Sequence, residues 1–217
     1  EDISNETLPF GFSKKINLVG TECRLHRITY VGELGFEIYI PYNNLEKVFD
    51  VVYAKNGKSP VKLAGYHALN SLRMEKGYLH WGHDIGVEEN PFEAGVGFCV
   101  NLNKKNPFLG QAALEEKKKS GLSKRKVNFA LSNNDLLIYH NEPIYFDGKI
   151  VGEISSGMYG FYLDKSLGMG YISNNDSYSI EEMMSHQKFE IEVAETKYSA
   201  EGSINCFYDP GREKILV

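Results

Sequence analysis

The sequence predicts an α+β fold in which a mixed first portion is followed by a small antiparallel β-barrel or sandwich. In the first half, an alternating strand pattern precedes segments whose apolar residues recur at helical spacing. After a lysine-rich segment, short apolar runs alternate with turn residues to the end of the chain. The 217 residues, 42% of them hydrophobic, suffice for a sizeable core. We therefore expect two domains, 1–121 and 122–217.

The composition of the chain argues against several classes of protein. The net charge of −5 argues against a nucleic-acid partner, which normally requires a basic surface. The chain has no apolar run of about 18 residues and no secretion signal at its start, so we expect no membrane partner. Cys23, Cys99 and Cys206 are far apart in sequence, so neither a disulfide framework nor a zinc site is indicated. A reducing compartment is expected, either the cytoplasm or, in a eukaryote, the mitochondrial matrix.

The first elements are predicted to be strands. A short strand is expected at Lys15–Val19, with a turn at 20–22. Residues 25–40 are expected to form a β-hairpin whose tight turn is flanked by Gly32 and Gly35.

One acidic residue stands out in this hairpin. Alternation places Phe36, Ile38 and Ile40 on one face and Glu37 and Tyr39 on the other. A buried carboxylate here would cost several kcal/mol unless a hydrogen-bond donor satisfied it, so Glu37 could await a ligand. Alternatively, its face is the solvated side of a half-exposed hairpin, and the pattern alone favours this second interpretation.

Two helices are expected next. The first begins at Asn43 or Asn44 and ends at Gly57, and its core-facing residues at helical spacing are Leu45, Val48, Phe49 and Val52. The second runs from Val61 to Lys76 and is predicted to bury a stripe made of Val61, Ala64, Ala68, Leu69 and Leu72. Gly65 weakens that helix by up to about 1 kcal/mol.

The segment after Gly77 is expected to be a loop that carries the single tryptophan, Trp81. His80, His83 and Asp84 in this loop could suit a metal ion, but positioning or packing is the favoured interpretation because no Cys-rich or helical context accompanies them. A Ser-His-Asp set can be assembled from Ser155 or Ser156 with His83 and Asp84, but no nucleophile-elbow motif surrounds either serine.

The rest of the chain supplies a short buried strand near the end of 95–100, a helix at 111–119 and the predicted barrel. The strands of this barrel are expected at Val127–Leu131, Ile144–Phe146, Lys149–Ile154, Leu167–Ile172, Phe189–Val193 and Ser203–Phe207. Asp147-Gly148 is a strong two-residue hairpin signal. The glycines do not have the spacing of a dinucleotide-binding loop.

Three sequence blocks, which follow one another in the same order as in a known family, resemble that family. They are Tyr30-Val31-Gly32-Glu33-Leu34-Gly35-Phe36-Glu37, the segment from Ala68 through Asp84 with the Asn90–Gly95 run that follows it, and Gly152-Glu153-Ile154-Ser155-Ser156-Gly157. Together they are similar to the folate-binding aminomethyltransferase family, which includes the glycine cleavage T-protein and the C-terminal parts of dimethylglycine and sarcosine dehydrogenases. His80-Trp81 favours the dehydrogenase branch.

The resemblance implies tetrahydrofolate as cofactor and a one-carbon transfer from an amine-derived donor. It places Tyr30 and Glu37 at the folate pocket, where an ionised carboxylate can accept hydrogen bonds from the exocyclic amine and ring N–H of a pterin. Arg73 could orient a folate carboxylate or pair with Glu75, and the internal ion pair is the favoured role. Trp81 could stack on the ligand or pack.

The resemblance also implies that part of the family domain lies upstream of this chain. The family's catalytic aspartate precedes the hairpin, and Asp2, the one aspartate before Glu37, has no matching motif. We therefore assign no catalytic residue and expect a fragment that is inactive alone, with the missing N-terminal portion as its partner. FAD is expected only in an upstream domain, if at all. The alternative is a non-catalytic folate-binding or regulatory module of the same fold.

Overall fold

The computed structural model describes residues 2–53 and 61–217. The predicted end of the first helix at Gly57 lies outside these residues. In the described ranges the helices are α1 (Leu45–Tyr53), α2 (Tyr66–Glu75), α3 (Gln111–Ser120) and α4 (Ile180–His186). The strands are β1 (Ser13–Leu18), β2 (Thr21–His26), β3 (Glu37–Tyr39), β4 (Lys124–Leu131), β5 (Pro143–Phe146), β6 (Lys149–Gly160), β7 (Lys165–Ser173), β8 (Phe189–Val193) and β9 (Thr196–Ser203). None of these helices is long and apolar enough to cross a lipid bilayer.

The chain forms two compact units, one made of Glu1–Arg73 with Asp209–Val217 and the other of Met74–Tyr208. The first unit holds an antiparallel sheet with the order β1-β2-β3 in its described part. Strands β1 and β2 are joined through Val19 and Gly20, both with positive φ, as the tightest hairpin turns require. The inner face of this sheet contributes Ile16, Cys23 and Leu25 to a core that also contains Leu8 and Val48.

The predicted hairpin at 25–40 is partly wrong. Its second strand is β3, which pairs with β2 in antiparallel register, but residues 27–36 between them form an irregular connection rather than a tight turn. This connection begins at the buried Arg27, whose backbone still pairs with Gly11 and Phe12. Its guanidinium donates to the carbonyl of Leu8 at 3.2 Å and also to that of Val217, so the side chain binds irregular backbone on both sides.

The apolar stripes predicted for the two helices are largely exposed. Of the α1 stripe, Val48 is buried, whereas Leu45, Phe49 and Val52 are exposed. Helix α2 begins only after Gly65, and Val61, Ala64 and Ala68 are exposed in the structure. Helical spacing was therefore correct in α1, but it did not identify which neighbouring elements would cover the apolar side.

The second unit confirms the barrel. Its strands close in the order β4-β7-β6-β5-β8-β9, and every pairing is antiparallel. The interior is filled by fully buried apolar side chains, among them Val127, Phe129, Ile144, Phe146, Ile154, Ile172, Phe189 and Ile191. The Asp147-Gly148 turn has positive φ at both residues, as predicted.

Three details of this unit differ from prediction. Residues 97–99 form a 3₁₀ turn instead of a buried strand. The last strand is Thr196–Ser203 rather than 203–207, because the β8–β9 turn consists of Ala194 and Glu195 in left-handed conformations that carry no glycine signal. Helix α4 was missed, although Ser179 and Glu182 form a capping box at its start.

Candidate functional site

Glu37 is exposed and opens β3 opposite His26 of β2. Phe36, Ile38 and Ile40 pack on the core behind the strand, so the predicted alternation of faces is confirmed. The phenol of Tyr39 donates a 2.9 Å hydrogen bond to Oε2 of Glu37. This bond, and the negative charge of Glu37, raise the pKa of Tyr39 above its ordinary value. The carboxylate is therefore presented to solvent on a well-supported strand and is oriented by a neutral donor two residues away.

The ring of His26 packs against the ring of Tyr39, with centroids 5.0 Å apart. The other flank of Tyr39 lines a shallow cavity of about 340 Å³ together with Arg24 and Lys15. Glu22 also lines this cavity and forms a 2.8 Å ion pair with Lys15, so the surface beside Tyr39 carries charges of both signs.

Tyr30 and Arg73 lie in the same compact unit as Glu37. Tyr30 is half-buried in the irregular connection that precedes β3. Arg73 is only 3% exposed, and its Nε donates to Oδ1 of Asn70 at 2.8 Å, one turn earlier on α2. A guanidinium so held has a fixed direction, as positioning of a carboxylate requires.

Trp81 belongs to the other unit and is 70% exposed. It forms a bridge with Ile85, and the amide of Gly82 donates to the carbonyl of Ile85 at 2.8 Å. The loop therefore folds back on itself and presents the indole ring to solvent.

Asp84 anchors this loop to the barrel. Its carboxylate is 1% exposed and accepts hydrogen bonds from the amide of His80 at 2.9 Å and from the hydroxyl of Ser155 on β6 at 2.6 Å. The hydroxyl of Tyr171 on β7 donates to the backbone carbonyl of Asp84 at 2.9 Å. Burial raises the pKa of Tyr171 well above its ordinary value, so the phenol stays a donor. The second and third sequence blocks thus meet at one buried carboxylate.

These contacts explain the Ser-His-Asp set noted in the sequence. The hydroxyl of Ser155 bonds directly to Asp84, whereas a catalytic relay needs an imidazole between the two groups. The arrangement can hold a loop but is not that of a hydrolase. The rings of His80 and His83 are 6.1 Å apart, and the described residues include no group of His, Cys, Asp or Glu side chains arranged to hold a metal ion.

A cavity of about 540 Å³ lies beside this anchor and is lined by both strands β6 and β7. At its edge Glu89 forms a 2.9 Å ion pair with Lys124. Partial burial disfavours the charge of Glu89, but Lys124 and the amide of Gly86 outweigh it and lower the pKa of this carboxyl. The ion pair fixes the chain after the loop to the start of β4.

The glycines of the third block are required by close packing. A Cβ on Gly152 would lie 1.8 Å from the carbonyl oxygen of Tyr171, and one on Gly157 would lie 2.2 Å from that of Ile138. Real Cβ atoms do not approach oxygen so closely, so these positions admit only glycine without a backbone shift. The block is thus a packing motif of the barrel that also presents Ser155.

The contacts of two residues in these sites were not predicted, although both residues were noted in the sequence. Tyr39 shares a strand face with Glu37 at i+2, and this spacing alone could have suggested the hydrogen bond. The role of Ser155 as the partner of Asp84 depends on a contact across 71 residues, for which the sequence offers no local signal.

The comparisons with known proteins agree with this architecture. Residues 1–104 match the family model described as GCVT N-terminal domain, and residues 124–209 match the glycine cleavage T-protein C-terminal barrel domain. The chain is therefore a member of the glycine cleavage T-protein family, as its three sequence blocks predicted.

The chain is similar to proteins of several names within this family. The chain is 33% identical to human sarcosine dehydrogenase, mitochondrial, over 99% of this chain and 23% of that protein. It is 33% identical to the mitochondrial pyruvate dehydrogenase phosphatase regulatory subunit of Mus musculus, over 88% of this chain and 23% of that protein. The crystal structure of the glycine cleavage system aminomethyltransferase T from Bartonella henselae aligns with a TM-score of 0.69 and 25% identity, covering 88% of this chain and 50% of that one. The chain spans about a quarter of the length of these two curated relatives.

Proposed function

We propose that this chain takes part in folate-dependent one-carbon transfer, in which an amine-derived donor passes its carbon to tetrahydrofolate. The observation that carries the proposal is Glu37, an exposed carboxylate held by Tyr39 on a strand whose other face is packed on the core. A pterin edge offers two N–H donors side by side, and an ionised carboxylate can accept both. The similarity to proteins named aminomethyltransferase and sarcosine dehydrogenase supports this chemistry.

The remaining pocket residues have supporting roles. Tyr30 precedes the strand and would contact the ligand near Glu37. Arg73, with its direction set by Asn70, would orient a folate carboxylate. We propose separately that the exposed indole of Trp81, which belongs to the other unit, stacks on an aromatic ligand. None of these groups is assigned a chemical step.

We further propose that the chain is one part of a longer polypeptide and has no turnover alone. Human sarcosine dehydrogenase is about four times as long as this chain, and the matched aminomethyltransferase chain is about twice as long, which leaves room for the upstream portion expected to hold the catalytic aspartate. FAD, if used, would bind in an upstream domain.

We also propose that the present chain consists of two domains, residues 1–121 and 122–217. The boundary between them lies in the gap between the two family matches. A mitochondrial location would follow if the source is eukaryotic, since human sarcosine dehydrogenase is named mitochondrial.

Replacement of Glu37 by alanine in the full-length protein tests the proposal. We expect tetrahydrofolate binding, measured by calorimetry, to weaken by about 2 kcal/mol, because a charged hydrogen-bond acceptor is removed. Glu22→Ala is the matched control, since Glu22 is an exposed acid in the same sheet that pairs with Lys15. Equal affinities for the Glu37→Ala and parent proteins would refute the assignment.

A regulatory module is the second candidate, and the similarity to the pyruvate dehydrogenase phosphatase regulatory subunit favours it. The two candidates differ in chemistry. The enzyme requires an upstream aspartate in an apolar strand-and-loop context and consumes tetrahydrofolate when an amine-derived donor already at the aminomethyl oxidation level is supplied. A full-length product that binds the ligand without converting it would support the module.

A further inference from the structure

Residues 28–35, called here the 28–35 loop, form a compact loop between β2 and β3 whose two ends touch. A Cβ added to Gly35 would lie 3.0 Å from the carbonyl oxygen of Ile28 and 3.0 Å from Cβ of Thr29. Inside the loop, the amide of Val31 donates to Oγ1 of Thr29 at 3.2 Å. A loop closed in this way keeps its own shape, so its direction depends on what holds the residue from which it departs.

That residue is Arg27, and both its backbone and its side chain are held. Its amide donates to the carbonyl of Phe12 at 3.0 Å, and its carbonyl accepts from the amide of Gly11 at 2.8 Å. The side chain is 2% exposed, and its guanidinium donates to the carbonyl of Leu8 at 3.2 Å and also to that of Val217. Hydrogen bonds in several directions therefore fix the base of the 28–35 loop.

The guanidinium is suited to this task by its shape. Its planar fork presents N–H donors in fixed directions, so one side chain can bind two carbonyls from segments far apart in sequence. A lysine ammonium is a point charge on a flexible stem and lacks this rigidity. One of the two acceptors is itself immobile, because Leu8 is buried in the core of the sheet.

The 28–35 loop leads to the two residues proposed to contact folate. Tyr30 is the third residue after Arg27 and is half-buried, and Glu37 lies two residues beyond the end of the loop. Glu37 is fixed separately, because β3 pairs with β2. A rotation at the base of the closed loop would therefore move Tyr30 relative to Glu37, and a displacement of about 1 Å is enough to lose much of a ligand contact.

We propose that Arg27 is a positioning residue, whose guanidinium holds the 28–35 loop so that Tyr30 lies beside Glu37 for the ligand. Since Arg27 is buried, it acts through the loop and takes no chemical step. The inference rests on the proposed function for the identity of the ligand, but the hold of Arg27 on the loop does not depend on folate.

Hydrogen exchange followed by mass spectrometry tests this hold in the full-length protein without folate. Arg27→Ala should speed exchange of peptides covering the 28–35 loop at least about tenfold and leave β4 and β7 as in the parent. Unchanged exchange in the loop would overturn the proposal. Equally faster exchange in the barrel strands would also overturn it, because Arg27 would then be a general core contact.

Calorimetry with tetrahydrofolate tests the consequence for binding. Arg27→Ala should weaken the affinity about tenfold, since the loop no longer presents Tyr30 correctly. Millimolar guanidinium chloride should restore most of the affinity by refilling the side-chain site, whereas sodium chloride at the same concentration should not. A merely destabilised protein would gain nothing from guanidinium, so a failure of this rescue would overturn the proposal.

Two further variants complete the test. Arg27→Lys should show intermediate affinity and loop exchange, because it keeps the charge without the fork, and parent-like values in both would overturn the proposal. If Arg27→Ala does not fold by circular dichroism, Arg27→Lys carries both measurements. Arg212→Ala is the matched control and should behave like the parent, since Arg212 is an exposed arginine of the same unit that lies over the ring of Phe10.

The outcomes separate this inference from the proposed function. A parent protein that does not bind tetrahydrofolate, with faster loop exchange in Arg27→Ala, would refute the proposed function and leave the hold of Arg27 on the loop established. A parent that binds tetrahydrofolate, with the same affinity in Arg27→Ala, would overturn only the present inference.

Discussion

The chemistry of this chain depends on how single polar side chains are supported. Glu37 is exposed and oriented by a phenol, while Asp84 is buried and satisfied by an amide and a hydroxyl. Both acids were noted in the sequence, but their environments are opposite. The exposed acid lies on the solvated face that the sequence pattern favoured and is accessible to a ligand, whereas a buried acid with its acceptors occupied is suited to holding a loop.

Ser155→Ala tests the anchoring role of Asp84. Removing the hydroxyl leaves a buried carboxylate oxygen without this donor, so we expect the free energy of unfolding to fall by about 2 kcal/mol. Urea denaturation followed by fluorescence is well suited, because the single tryptophan, Trp81, lies in the anchored loop.

Ser132→Ala is the control for this measurement. The hydroxyl of Ser132 donates to the carbonyl of Ser199 at 3.0 Å but is exposed, so water can replace it. An equal loss in both variants would contradict the special role of Ser155.

At the scale of elements, the barrel depends on close approach between strands. Gly152 and Gly157 on β6 lie against backbone carbonyls, and β4 is buried along six consecutive residues. Beside the barrel, the ion pair of Glu89 with Lys124 holds the segment that follows the Trp81 loop against the first residue of β4.

Gly157→Ala should destabilise the barrel by about 3 kcal/mol, because the new methyl group would overlap the carbonyl of Ile138 and force the backbone to shift. Thermal denaturation measures the change. Gly86→Ala is the control, since a Cβ there has an ordinary contact of 3.6 Å with the side chain of Glu89. A Gly157→Ala protein that melts like the parent would show that the barrel relaxes freely.

Glu89 predicts a pH dependence of stability. Its pKa is lowered in the folded chain from an ordinary value of 4.5. The ion pair therefore stabilises the fold fully above that ordinary pKa, and its contribution is lost as the pH falls through the lower folded-state value. We expect Glu89→Gln to cost about 1 kcal/mol at pH 7 and almost nothing near pH 3, by urea denaturation at both values. A constant difference at both values would assign the effect to packing instead of charge.

At the scale of the whole molecule, the two compact units differ in how far their sheets are closed and their apolar side chains are buried. The second unit closes its sheet into a barrel around a core of fully buried side chains. The first unit has a sheet with open edges in its described part, and the stripe of α1 is exposed. Local stability should follow this difference, because opening is least costly where few apolar side chains are covered.

Hydrogen exchange on the 217-residue chain should therefore show amides of β4 and β7 exchanging at least about a hundredfold more slowly than those of β2 and β3. Mass spectrometry with peptide-level resolution measures this. Similar rates in the two units would mean that the chain opens only as a whole.

The sequence by itself determined the α+β class, the family, an antiparallel barrel or sandwich in the second half, and the alternation that exposes Glu37, and the structure showed that the sheet closes into a barrel. These features depend on local periodicity, turn residues such as Asp147-Gly148 and short motifs, all of which are written within a few consecutive residues. The tertiary structure alone decided that residues 27–36 leave the sheet around Arg27, that the stripe of α1 is exposed, and that Asp84 pairs with Ser155. Each of these outcomes depends on which distant segments come into contact, and a burial or a hydrogen bond across 71 residues leaves no periodic trace in the chain.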